Sequence, residues 1–118
     1  MKIWIILTLA VELVVGLILI SFPEIVPQLK GVEGNGLTMA RMYGAAAIVM
    51  AVLCFWTLRY YALDGVIDLF LHVMIAFQFL ATTAIVISYV KGENVDARPI
   101  LLHSVFLVGY IYFYIKRK

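Results

Sequence analysis

Residues 3–22 form an apolar run of twenty residues with one carboxylate, Glu12, near its middle. A helix rises ~1.5 Å per residue, so about twenty residues cross the ~30 Å hydrocarbon layer of a bilayer. Glu12 then falls near the midplane, where an ionised carboxylate costs at least about 2.5–3.5 kcal/mol and almost always faces the bundle interior and a partner. The remaining chain must therefore supply something for Glu12 to face. Lys2 before an apolar segment fits the start of a signal peptide. The length of the run, Glu12 itself and the ending Ser21-Phe22-Pro23-Glu24 instead point to a retained span.

Composition agrees with a membrane protein. Of 118 residues, 65% are hydrophobic and 14% charged, whereas soluble domains are about half apolar and about a quarter charged. The net charge of +2 is small and dispersed, which excludes a nucleic-acid partner. The single cysteine, Cys54, excludes an internal disulfide and a cysteine-based zinc or iron–sulfur site. In its apolar run it reads as a small packing residue.

The pattern predicts an all-α, antiparallel four-helix membrane bundle forming one domain over 1–118, with spans at about 3–22, 37–58, 66–90 and 99–115. Pro23 and Pro27 stop the first span. The connection 23–36 carries Glu24, Lys30 and Glu33, an apolar part around Ile25, Val26 and Leu29 suited to the membrane surface, and a turn signal at Gly34-Asn35-Gly36. In the second span Ala40, Gly44, Ala47 and Ala51 make a small-xxx-small stripe, a candidate surface for homo-oligomers. Arg59, Tyr60 and Tyr61 mark an interface and 62–65 a short turn. Asp64 and Asp68 suit the N-terminus of the third helix. The loop 91–98 is short and charged, and Pro99 opens the fourth span. Lys2, Arg59, Lys116, Arg117 and Lys118 lie on one side, against Lys30, Lys91 and Arg98 with four acidic residues on the other. The excess of cations places both termini in the cytoplasm, in a plasma or inner membrane.

Counting ~1.5 Å per residue from each span's centre puts Glu12 and Gln78 near the midplane. Arg41 comes out roughly 10 Å, and His103 roughly 6 Å, toward the outer side, while His72 lies roughly 9 Å toward the cytoplasm. The expected polar core is Glu12, Arg41, Gln78 and His103, with Gly44, Thr82 and Tyr110 as pocket lining. Each has a plainer reading. Glu12 and Arg41 serve equally well as an internal pair fixing helix packing, or Arg41 snorkels to the outer headgroups. Gln78 serves as an interhelical hydrogen bond, and His103 as the polar end of a stripe with Tyr110 and Tyr114. His72, four residues after Asp68, reads as structural.

No cofactor follows from a motif. The two histidines fall on opposite sides of the midplane, ~15 Å apart along the normal, which argues against one bis-histidine haem. Metal spacings, a phosphate loop, a nucleophile elbow and a dinucleotide fingerprint are all missing from the sequence, so no catalytic residue is assigned.

Two resemblances add to this. The run Ala10-Val11-Glu12-Leu13-Val14-Val15-Gly16, with the length and four spans, is similar to the small multidrug resistance transporters, whose embedded glutamate exchanges protons for cationic drugs. Their aromatic-and-glycine motif in the third helix has no counterpart in 66–90. Across most of the chain, Phe22-Pro23-Glu24 ending the first helix and Arg41-Met42-Tyr43-Gly44 opening the second resemble the DoxX-like four-helix membrane proteins. That resemblance makes Arg41 and Gly44 family-like positions and implies an accessory or ligand-binding role. The first functional expectation is thus a non-catalytic bundle that binds a lipophilic molecule or a membrane-protein partner through a Glu12–Arg41 polar site. The second is a proton-coupled transporter using Glu12. The third is a membrane enzyme or redox protein acting on a lipid or quinone with His103, Tyr110 and Glu12.

Overall fold

The four apolar segments form four helices in the computed structural model, which describes residues 1–93 and 97–118 apart from the side chains of Gln28 and Asn35. They are α1 (Lys2–Ser21), α2 (Asn35–Arg59), α3 (Asp64–Val90) and α4 (Arg98–Arg117). Each contains a stretch long and apolar enough to cross a membrane. Helices suit such segments because a bilayer offers no water to backbone N–H and C=O groups, and a helix satisfies them internally.

The ends of the helices follow local chemistry. Gly34 adopts φ +57°, a left-handed turn that glycine takes without strain, and α2 starts directly after it, two residues earlier than the expected 37. α3 likewise begins at Asp64 rather than 66. Its preceding turn is closed by the Leu63 N–H donating to Tyr60 O at 3.0 Å. At the other end of α3, Gly92 takes φ +73° and the Glu93 N–H donates to Ser88 O at 2.9 Å, a glycine-based C-terminal cap. The Ser88 hydroxyl also donates to the Glu93 carboxylate at 3.1 Å. The middle of the expected charged loop, 94–96 with Asp96, lies outside the described residues. Between α1 and α2 the chain makes two short 3-10 turns, Pro23–Ile25 and Pro27–Leu29, each opened by its proline.

The chain divides into two compact units, Met1–Arg59 and Tyr60–Lys118. In the first, α1 and α2 form a helical hairpin. Ile5, Thr8, Glu12, Gly16 and Leu19 are buried on α1, spaced three or four residues apart and so on one stripe. The tightest point of the hairpin is glycine against glycine: a Cβ added at Gly16 would lie 2.8 Å from Gly44 O, and one at Gly44 2.9 Å from Gly16 O. Only small residues permit backbones to approach this closely in lipid.

In the second unit, α3 and α4 form the other hairpin. Ile67, Phe70, Leu71, Met74 and Gln78 are buried on α3, and His103, Phe106 and Tyr110 on α4. The Phe70 and Tyr110 rings meet edge to face at 5.6 Å. Near the chain terminus, the Arg117 guanidinium reaches both Asp64 (3.0 Å) and Asp68 (3.1 Å). His72 donates from Nδ1 to Asp68 O at 2.7 Å, and its ring packs edge-on against Tyr114. Most other large apolar side chains point outward, Val90 at 79% exposure and Leu101 at 67% among them. On each hairpin the outward side chains are thus largely apolar.

Candidate functional site

Among the described residues, the buried polar side chains are Thr8, Glu12, Thr57, Gln78 and His103. The two threonines satisfy themselves locally. Thr8 donates to Trp4 O at 3.0 Å and Thr57 to Leu53 O at 2.8 Å, each to the carbonyl one turn back.

Gln78 and His103 satisfy each other. Nδ1 of His103 lies 2.7 Å from Oε1 of Gln78, with both side chains buried. An amide oxygen only accepts, so Nδ1 carries the proton, and Nε2 is the acceptor nitrogen whenever the ring is neutral. The α3 stripe that buries Leu71 and Met74 carries Gln78 to the α4 stripe on which His103, Phe106 and Tyr110 follow at helical spacing. Tyr110 is fully buried two turns beyond His103. Thr82, one turn after Gln78 on α3, buries its hydroxyl oxygen, which has no hydrogen-bond partner among the described residues. Two polar-core residues, Gln78 and His103, are thus in direct contact, and the lining residues Thr82 and Tyr110 share their stripes. His72 sits beside Tyr114, eleven residues from His103 along α4 and so ~16 Å away along the helix.

Glu12 is 3% exposed and lies on the buried stripe of α1. The expected pair with Arg41 is not formed. Arg41 is exposed, and no ion pair joins it to Glu12 among the described residues. The register explains this. Gly16 faces Gly44 and Ile48, while Gly44 also faces Leu19 and Ile20. Glu12 lies on one side of that crossing and Arg41 on the other, roughly 10–16 Å apart along the helices. Gly44, expected as pocket lining, belongs to the crossing. Of the small stripe, Gly44, Ala47 and Ala51 are buried within the chain and Ala40 is half-buried, so at Gly44 the surface expected for a second copy meets α1 instead.

No family model, curated protein or solved structure matches this chain. The site is therefore read from its own chemistry. Its strongest element is a buried, hydrogen-bonded amide–imidazole pair set in an apolar span. Reading the sequence missed two features, Gly16 as the partner of Gly44 and the Asp64–Asp68–Arg117 contact. A signal for each was present: Gly16 lies one turn after Glu12 on the buried stripe, and Asp64 and Asp68 stand four residues apart on one face.

Proposed function

We propose that this chain is a multi-pass membrane protein, an antiparallel bundle with both termini cytoplasmic, that binds a neutral lipophilic molecule without transforming it. The Gln78–His103 hydrogen bond carries this reading. Side-chain hydrogen bonds between membrane helices contribute only about 0.6–2 kcal/mol, so an apolar pair at these positions would hold the hairpin nearly as well. Stability alone is a weak reason to bury an amide and an imidazole among phenylalanine, leucine and methionine. A polar ligand group entering the hydrocarbon layer is a better one, and the resemblance to DoxX-like proteins supports a binding role. Protein purified in mild detergent is expected to carry a discrete neutral lipid in its organic extract, and His103→Phe to lose it while keeping its helical content. Equal recovery from both proteins would refute the proposal.

A second reading, proton-coupled transport, is supported by the burial of Glu12 inside the first span and by the resemblance of that helix to the small multidrug resistance transporters. In proteoliposomes with an imposed pH gradient, the wild type would then take up a lipophilic cation and Glu12→Gln would not. Uptake that is the same in protein-free vesicles would remove this reading.

A further inference from the structure

Of the nine lysines and arginines, eight lie in connections or at helix ends, and Arg41 alone stands more than a turn inside a helix. It is the seventh residue of α2, about 9 Å from the end of that helix and about 9 Å from its centre. The hydrocarbon half-layer is about 15 Å thick. The base of the Arg41 side chain is therefore some ångströms below the headgroups, and its guanidinium can climb back to them along the helix. Arg41 is exposed, as are Thr38 and Ala45. At three and four residues' distance these two share its face, and neither is bulky. Glu24 and Glu33 lie on the adjoining connection and Glu12 lies across the glycine crossing, and none forms an ion pair with Arg41 among the described residues. A bare charge left among acyl chains costs at least about 2.5–3.5 kcal/mol, so the guanidinium is held at the headgroup level, where an anion can meet it.

We infer that Arg41 binds the phosphate of an anionic phospholipid in the leaflet at the Asn35 end of α2. The planar guanidinium matches two phosphate oxygens and is more weakly hydrated than an ammonium. The Thr38 hydroxyl, which donates a long 3.4 Å bond to Gly34 O, stands one turn nearer the headgroup. The positive end of the α2 dipole lies on the same side. Depth selects the lipid: a phosphate tethered to acyl chains is already at this level, whereas a free phosphate would have to leave water to reach it.

The test compares native mass spectra of the protein released from nanodiscs of equal parts phosphatidylglycerol and phosphatidylcholine. Wild type is expected to retain one phosphatidylglycerol preferentially. Arg41→Gln is expected to lower that retention about tenfold, the worth of one charge-assisted pair. Arg41→Lys should retain an intermediate amount, and Lys30→Gln, which removes an exposed cation of the connection, should behave as wild type. Because Arg41 is exposed, its variants should keep the wild-type circular dichroism spectrum. Retention by Arg41→Gln equal to wild type would overturn the inference, as would an equal loss in Lys30→Gln. Displacement of the lipid by excess inorganic phosphate would overturn the lipid assignment.

Discussion

His103 and Gln78 are hydrogen-bonded to each other with both side chains buried. Gln78→Leu removes the acceptor of the His103 N–H, so it is expected to cost about 1–2 kcal/mol of stability. With His103→Phe added, the double variant should be less destabilised than the two single losses added together. Steric-trapping or thermal unfolding in detergent measures the coupling; additive losses would mean the bond contributes nothing. Depth counting placed Gln78 near the midplane and His103 roughly 6 Å toward the outer side, within one expected polar core, because helix rise is regular. The same counting misplaced the partner of Glu12. Rise gives depth but not rotation about the helix axis, nor the register at which two helices cross. Arg41 faces away from the crossing that buries Glu12, and nothing along the chain between them announces this.

At the scale of elements, the α1–α2 hairpin depends on backbone proximity. Gly44→Ala would set a methyl carbon 2.9 Å from both Gly16 O and Leu19 Cβ, neither a flexible side-chain tip. Separating the helices is expected to cost about 1–3 kcal/mol. Gly65→Ala makes the contrasting control. A Cβ there meets nothing within 4 Å, and its position in the first turn of α3 should make alanine neutral or stabilising by up to about 1 kcal/mol. If both variants unfold at the same temperature, the crossing is not where the hairpin is held. The helices themselves were readable as sequence, since twenty consecutive apolar residues leave few alternatives. Their ends were less so: α2 and α3 each start two residues before the expected position, where Gly34 and the 60–63 turn let the first helical turn form sooner.

For the whole molecule, four helices long and apolar enough to cross a membrane carry few buried polar side chains among the described residues. Of these, the Gln78–His103 pair makes the central claim testable, because the proposed binding of a neutral lipophile is placed there, on α3 and α4. The direct measurement is photolabelling in phosphatidylcholine nanodiscs with a diazirine-bearing diacylglycerol, followed by peptide mapping. Label is expected to concentrate beside residues 78–82 and around 103, to exceed that from phosphatidylcholine bearing the same diazirine chain, and to fall in Gln78→Leu. Label spread evenly over outward-facing positions such as Leu80, Val90 and Leu101, equal for both lipids and unchanged in Gln78→Leu, would contradict it.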